Sequence, residues 1–224
     1  MAEIIVALDA SNRGDALAIV DALPGLRWVK VGSTLFVAEG PALVRELKAR
    51  GLRVFLDLKW HDIPGQVAGA VRAADVLGVD LVTVHALGGP AMLAAAAAAS
   101  AGVRVAAVSV LTSHDADDWG FVVGRRADLV TEVTRLAHVV AGAGLTAMVV
   151  APGEAGVVRA ALGSASWVIT PGIRPTGAPA DDQRRVATPA AAVAAGATHL
   201  VVGRPITRAP NPVAVYEELC HDAG

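Results

Sequence analysis

The sequence is poor in the residues that mark several classes of protein. Its 224 residues include one cysteine, Cys220, and aromatic residues make up 4% of the chain. A single cysteine excludes a disulfide within the chain and a cysteine-rich metal site. The net charge is −2 and the pI is about 6.3, so no strongly basic surface is indicated. We therefore expect neither a nucleic-acid nor a membrane partner.

Long apolar runs are also missing, although the mean hydropathy is high at +0.53. No run reaches the ~18 residues that a membrane-spanning helix needs. The Ala-rich stretch "AMLAAAAAAS" (91–100) predicts a packed helix instead. The first residues, "MAEIIVALD", lack the basic segment and the cleavage pattern of a signal peptide. These features together predict a cytoplasmic protein.

Short β-branched runs recur along the chain and are separated by helix-like segments such as 40–51 and 131–144. Continuous apolar runs of this length are typical of parallel strands that are covered on both faces. The runs cover residues 3–9, 27–32, 53–59, 81–86, 104–112, 147–152, 167–172 and 199–205. Eight strands that alternate with about eight helices predict a (β/α)₈ TIM barrel, with residues 1–224 as a single domain.

An open, doubly wound sheet is the alternative fold. It calls for a glycine-rich phosphate-binding fingerprint after the first strand. The chain instead reads "ASNRGD" after Asp9, which does not match that fingerprint. The barrel is therefore favoured.

Polar and charged residues stand at the ends of the predicted strands, where the active sites of such barrels lie. The stretch "DLKWHDIPG" (57–65) is the densest example. The strand-end residues are Asp9, Lys30, Asp57, Lys59, His85, Thr112, Arg174, Gly203 and Arg204, and Asp62 lies just beyond the third strand. Two acids and two lysines (Lys30, Asp57, Lys59 and Asp62) at one barrel mouth predict a catalytic site.

The spacing of these charges indicates their chemistry. Asp57 and Lys59 are two residues apart, so their side chains point to the same side of an extended strand. Nearby carboxylates keep a lysine protonated, which makes Lys59 a fixed cation and proton donor rather than a nucleophile. Such a group suits the stabilisation and protonation of a carbanion. His61 has the opposite parity and is expected to face away, and His85 is read as a rim contact rather than a metal ligand.

The last two predicted strands indicate a phosphate site. Loops after strands 7 and 8 often bind phosphate in this fold, and here they read "TPGIRP" (170–175) and "GRP" (203–205). Backbone N–H groups near Gly203 and the forked guanidinium of Arg204 suit a phosphate dianion. The polar segment 175–185 has two interpretations, a lid that closes over a ligand and a plain surface loop.

Taken in order, several motifs closely resemble the orotidine 5′-phosphate decarboxylase family. They are "VALD" (6–9), "KVG" (30–32), "DLKWHDIP" (57–64), "VHA" (84–86), "VLTS" (110–113), "TPGIRP" (170–175), "DQRR" (182–185) and "VVGRPIT" (201–207). The D-x-K-x-x-D core is shared with 3-keto-gulonate-6-phosphate decarboxylase and hexulose-phosphate synthase. The "HDIP", "GIRP" and "DQRR" motifs point to the orotidylate enzymes.

The resemblance implies decarboxylation of orotidine 5′-phosphate to UMP in pyrimidine synthesis, with no metal or organic cofactor. It implies a homodimer with shared active sites, in which Asp62 reaches the neighbouring subunit's site. Lys59 would stabilise and protonate the C6 carbanion, and Asp57 would lie near the departing carboxylate. Substrate contacts are implied for Asp9 and Lys30 (ribose), Thr112 (pyrimidine), Gln183, Gly203 and Arg204 (phosphate), and Arg174 beside the loop.

One departure from the family and two rival functions stand beside this interpretation. Gln66 occupies a position where related enzymes usually carry a threonine that helps to hold the ribose. A metal-assisted sugar-phosphate decarboxylase or aldolase would need an extra acidic ligand near the end of the second strand, where this chain has Lys30-Val31-Gly32. A catalytically silent nucleotide-binding barrel would have no need of Lys59 and Asp57.

Overall fold

The computed structural model describes residues 2–175 and 185–224. Parallel strands close into a barrel in which each strand pairs with its neighbours in chain order and β8 pairs with β1. The strands are β1 (Glu3–Ala7), β2 (Trp28–Gly32), β3 (Arg53–Trp60), β4 (Leu81–His85), β5 (Arg104–Val108), β6 (Ala147–Val149), β7 (Trp167–Thr170) and β8 (His199–Val202). The predicted TIM barrel is confirmed, and each strand begins within one residue of its predicted start.

Helices surround the barrel and connect successive strands. They are α1 (Arg13–Ala22), α2 (Ser33–Ala49), α3 (Pro64–Leu77), α4 (Gly89–Ala99), α5 (Ala116–Val123), α6 (Leu129–Gly142), α7 (Ala155–Leu162), α8 (Pro189–Ala194), α9 (Arg204–Thr207) and α10 (Pro212–Asp222), with 3₁₀ turns at Ala86–Gly88 and Pro152–Glu154. In the part of the chain that the model covers, no helix is both long and apolar enough to cross a membrane.

The predicted helices at 91–100 and 131–144 correspond to α4 and α6. Asp128 caps α6, because its side chain accepts a hydrogen bond from the Thr131 N–H. The predicted helix at 40–51 is the second half of α2, which breaks at Gly40 with φ of 61° just before Pro41. Glycine adopts a positive φ without a steric penalty, and Pro41 cannot donate a backbone hydrogen bond within a helix. The sequence therefore favours a break at this point.

Several strands end earlier than predicted. The fifth run was expected to reach residue 112, but β5 ends at Val108. The residues that follow, from Ser109 to Thr112, leave the ladder and form the loop at the barrel mouth. Apolar character alone did not show this, because Val110 is buried in the loop as fully as a strand residue is.

The barrel interior is filled by alanine, branched aliphatic and aromatic side chains. Its buried residues are Ile5, Ala7, Trp28, Phe55, Leu81, Ala106, Ala147, Ile169 and Val201. Side chains alternate along a strand, so residues two positions further on also face inward. Lys30 follows Trp28, Asp57 follows Phe55, and Thr83 follows Leu81 in this way. The alternation therefore carries charged and polar groups to the carboxyl end of the barrel.

Candidate active site

A cavity of about 290 Å³ opens at the carboxyl end of the barrel. Its lining comes from the ends of β1, β2, β3, β5, β6, β7 and β8. The predicted site residues in the lining are Asp9, Lys30, Asp57, Lys59, Thr112, Arg174, Gly203 and Arg204. The rest are Ala7, Phe55, Val108, Val110, Leu111, Ser113, Val149, Val150, Pro171, Gly172 and Val201. The cavity thus joins a charged wall to an apolar one.

Alternating charges form the wall built by β1, β2 and β3. The Lys59 ammonium lies 2.9 Å from both carboxylate oxygens of Asp57. The Lys30 ammonium lies 3.8 Å from Asp57 Oδ2 and 3.2 Å from Asp9 Oδ1. The Asp57 side chain is only 11% exposed, and a buried carboxylate is tolerated when it is paired in this way. The two ammonium groups compensate Asp57 and are held in place before a ligand arrives.

The backbone at Lys59 is unusual. Its φ is 51°, the one positive φ of a non-glycine residue in the described ranges. A left-handed conformation costs an L-residue roughly 1–2 kcal/mol. Such strain persists where the surrounding structure fixes it, and it is concentrated at functional sites. Lys59 therefore contacts Asp57 from a left-handed backbone conformation and not from an extended one.

Histidines lie beside the charged wall. The rings of His61 and His85 stack with centroids 5.6 Å apart, and His61 itself is exposed. Burial, followed by the charges of His61, Lys59 and His114, lowers the pKa of His85 to about 4. His85 is therefore neutral at pH 7, and its Nδ1 accepts a hydrogen bond from the Leu87 N–H. Across residues 2–175 and 185–224, no group of three or more His, Cys, Asp or Glu is arranged to hold a metal ion.

The predicted phosphate end of the cavity depends on a close backbone approach. A Cβ at Gly203 would lie 3.0 Å from Asp9 Oδ2 and 3.4 Å from Ala7 Cβ, so a side chain here would press against Asp9. Arg204 follows as the first residue of α9. Arg174 is buried, and its guanidinium donates to the Ile173 carbonyl at 2.9 Å. These two cationic side chains and the Gly203 backbone line one side of the cavity.

A buried ion pair that sequence reasoning missed holds this end together. Arg185 donates to Glu154 Oε1 at 2.5 Å and to the carbonyl oxygens of Val110 and Leu111 at 3.0 Å. It thereby joins the segments that follow β5 and β6 to the chain that returns after β7. Arg185 belongs to the motif "DQRR", but the sequence gives no sign that its partner is Glu154, 31 residues earlier.

One predicted site residue, Asp62, does not join the cavity lining, and another, Gln183, lies outside the described residues. Asp62 is exposed, and among the described residues it is not part of the lining. Its Oδ1 accepts a hydrogen bond from the Ile63 N–H at 2.6 Å. Gln183 and most of the segment 175–185, the candidate lid, lie outside the described residues. The model consequently brings together Lys30, Asp57 and Lys59 of the predicted catalytic four.

The chain matches one known protein family over nearly its whole length. The model of the orotidine 5′-phosphate decarboxylase / HUMPS family matches residues 2–219. The chain belongs to this family. Its resemblance to the orotidine 5′-phosphate decarboxylase family, based on the sequence motifs, is confirmed.

Relatives in the orotidine 5′-phosphate decarboxylase / HUMPS family match the chain almost end to end. A protein named orotidine 5′-phosphate decarboxylase from Alkalilimnicola ehrlichii is 51% identical, over 96% of this chain and 94% of its own. One of the same name from Halorhodospira halophila is 50% identical, over 94% of this chain and 91% of its own. The crystal structure of orotidine 5′-phosphate decarboxylase from Lactobacillus acidophilus superposes with a TM-score of 0.87 at 34% identity, covering 100% of both chains.

Proposed function

We propose that the protein decarboxylates orotidine 5′-phosphate to UMP in pyrimidine synthesis, as one cytoplasmic domain of residues 1–224. The family and the names of its relatives support this substrate. The observation that carries the proposal is the alternating array of Lys30, Asp57 and Lys59 in the cavity wall. A protein that only binds a nucleotide anion gains nothing from a buried carboxylate in its pocket. A decarboxylase can use that carboxylate to hold the cation that the reaction needs.

The reaction follows from the charge that it creates. The bond between C6 and the carboxylate carbon breaks, CO₂ leaves, and the electron pair stays on C6. The Lys59 ammonium stabilises this pair, because a fixed charge that is in place before the reaction stabilises developing charge without reorganisation. Lys59 then donates a proton to C6 and forms the C6–H bond of UMP. The neutral amine regains its proton from solvent.

Asp57 has two roles in this mechanism. It lies between Lys30 and Lys59 and fixes the position of the Lys59 ammonium. It also places a carboxylate near the substrate's own carboxylate, which favours loss of CO₂ over retention. Asp9 and Lys30 contact the ribose, and Thr112 lies beside the pyrimidine.

Phosphate binding is assigned to the ends of β7 and β8, and the β8 end lies next to Asp9. Arg204 and the Gly203 backbone hold the 5′-phosphate together with Gln183, and Arg174 lies near them. This contact is remote from C6, so its binding energy serves to hold the reacting carboxylate against Asp57. No metal ion or organic cofactor takes part in the proposed reaction.

A spectrophotometric assay with orotidine 5′-phosphate, with and without a chelator, tests the proposal. We expect turnover to UMP that the chelator does not change. Loss of activity with the chelator would instead favour a metal-assisted sugar-phosphate decarboxylase or aldolase. Binding of UMP without turnover of orotidine 5′-phosphate would favour a silent nucleotide-binding barrel.

We also propose that the active protein is a homodimer in which Asp62 serves the site of the partner subunit. Asp62 is exposed and stands apart from the cavity lining of its own chain. The next residue, Ile63, is a large apolar side chain with 66% of its surface exposed. Together they form an exposed acid beside an exposed apolar group at the mouth of the barrel. A two-fold dimer lets each subunit give its partner what it receives.

A mixture of two inactive variants tests this arrangement. Lys59→Ala and Asp62→Ala chains are unfolded together and refolded as a mixture. In a mixed dimer one site carries both lesions and the other carries neither. Random pairing makes about half of the dimers mixed, so roughly a quarter of wild-type activity should return. Recovery no greater than the average of the two parents, with mixed dimers verified, would place Asp62 in its own chain's site.

A further inference from the structure

We infer that Thr83 is a positioning residue for the reaction, because its hydroxyl fixes both Lys59 and Asp57; this inference rests on the proposed function. Thr83 lies in β4 and is fully buried. Its Oγ1 accepts a hydrogen bond from the Lys59 backbone N–H at 2.9 Å. The same hydroxyl donates to Asp57 Oδ1, also at 2.9 Å. One side chain on the neighbouring strand thus contacts both members of the central ion pair.

The strand pairing explains why this contact is needed. Leu56 pairs with Val82, and Trp60 pairs with Val84, with a register shift between them. Asp57, Leu58 and Lys59 on β3 therefore stand opposite Thr83 alone on β4. Extra residues of this kind form a bulge, which re-aims side chains and leaves ladder groups unpaired. The Thr83 hydroxyl supplies the acceptor that the Lys59 N–H requires within this bulge.

A hydroxyl suits this position because it donates and accepts at once. As an acceptor it holds the Lys59 backbone at its positive φ of 51°. As a donor it fixes the Asp57 carboxylate, whose two oxygens receive the Lys59 ammonium. Valine has nearly the same shape but can do neither. A displacement of about 1 Å in a reacting group can cost about 10²-fold in rate.

Substitutions at Thr83 separate the hydroxyl from the methyl group. For Thr83→Val we expect kcat to fall by roughly 10- to 100-fold, with KM within about threefold of wild type, because the phosphate contacts are untouched. For Thr83→Ser, which keeps the hydroxyl, we expect kcat within about threefold of wild type. If the valine variant does not fold, Thr83→Ser and Thr83→Ala provide the same contrast, since they differ by the hydroxyl alone.

Thr198→Val is the matched control. The Thr198 hydroxyl likewise accepts from a backbone N–H, that of Val168 at 2.9 Å, but it does so at the opposite end of the barrel. We expect this variant to lose thermal stability and to keep wild-type kcat. An equal loss of kcat in Thr198→Val would show that general destabilisation causes the effect, and would overturn the inference.

The remaining outcomes also decide the matter. A serine variant as slow as the valine or alanine variant would overturn the inference, as would wild-type kcat in Thr83→Val. A wild-type protein that does not turn over orotidine 5′-phosphate at all would overturn the proposed function itself. The wild-type assay therefore distinguishes failure of the proposed function from failure of the role given to Thr83.

Discussion

Side chains of very different chemistry occupy the two ends of the barrel. At the carboxyl end, ammonium groups face carboxylates around an open cavity. At the amino end, Trp28, Trp167 and His199 pack against one another, with the Trp167 and His199 rings 4.2 Å apart. Arginines cover this cluster, Arg104 at 4.3 Å from the Trp167 ring and Arg53 at 5.6 Å from the Trp28 ring. Cations face rings at one end and carboxylates at the other.

This contrast assigns different work to each end. Aromatic rings bury much surface and hold a neutral histidine, so the amino end closes the barrel and adds to its stability. Paired charges and a strained backbone at Lys59 stabilise the fold poorly, but they hold an ammonium group ready for chemistry. Changes at the carboxyl end should therefore alter turnover without unfolding. Changes at the amino end should alter stability without affecting turnover.

The largest effect is expected for Lys59→Ala. It removes the proposed proton donor and fixed cation together, so kcat for orotidine 5′-phosphate should fall by several powers of ten, about 10⁴-fold or more, in a folded protein. Lys48→Ala is the control, because Lys48 also pairs with an aspartate, Asp80, at 2.5 Å but outside the cavity. Near-normal turnover by Lys59→Ala would rule out the mechanism.

The next effect is expected for Arg204→Ala. In the proposed mechanism its guanidinium acts through the phosphate, so kcat/KM for orotidine 5′-phosphate should fall roughly 10²- to 10³-fold, while orotidine, which lacks the phosphate, should react as with wild type. Arg208→Ala, an exposed arginine one helical turn further on, should leave both substrates unaffected. An equal loss on both substrates would mean that Arg204 has another role.

The third effect is a loss of folding stability at low pH, caused by His199 at the amino end of the barrel. Burial, followed by the charges of Arg104 and Arg53, lowers the pKa of His199 to about 4. The unfolded chain has the ordinary pKa of about 6.5, so the unfolded state gains a proton first as pH falls. Stability from this source is complete above about pH 6.5 and is lost as pH falls towards 4. Between pH 7.5 and 5 the loss is about 2 kcal/mol.

His199→Gln checks this expectation, since glutamine does not titrate. Urea unfolding at pH 7.5 and pH 5 gives the free energy of unfolding for both proteins. The variant should lose less stability than wild type over this interval, by about 2 kcal/mol. The same decrease in both proteins would show that His199 does not contribute.

The smallest effect is expected for Arg104→Met. It removes the cation above Trp167 and the hydrogen bond to Thr146 Oγ1 but keeps an apolar stem. Cation–π contacts of this kind contribute roughly 0.5–1 kcal/mol, so thermal denaturation should begin a few degrees lower. Turnover should not change. A loss of turnover would contradict the division of labour between the two ends.

The sequence predicted the fold and most of the cavity wall because both depend on local pattern. The strands were recognisable as β-branched runs. Because the carboxyl ends of all strands lie on one face of such a barrel, the residues that follow the strands meet at one rim. Asp57 and Lys59 were correctly expected on the same side of their strand. Their contact nevertheless passes through a bulge and a positive φ at Lys59, which the two-residue spacing did not indicate.

The missing parts of the site depend on tertiary pairing. Thr83 lies in the predicted strand run 81–86, where the sequence does not distinguish it from its neighbours. Its role depends on the register of β4 against the bulge in β3. Arg185 and Glu154 lie on different loops, and only the closed barrel brings them together. The ends of β5 and β6 were overestimated because the buried loop residues Val110, Val150 and Ala151 are as apolar as strand residues.

Exchange of the C6 hydrogen of UMP in D₂O tests the central claim most directly. If Lys59 protonates a C6 carbanion in the forward reaction, then by microscopic reversibility its neutral amine removes the C6 proton from bound UMP. NMR should show the wild-type protein and Arg104→Met replacing H6 with deuterium at equal rates, and Lys59→Ala leaving it in place. Exchange by Lys59→Ala at the wild-type rate would contradict the claim that this lysine, at the charged end of the barrel, carries the chemistry.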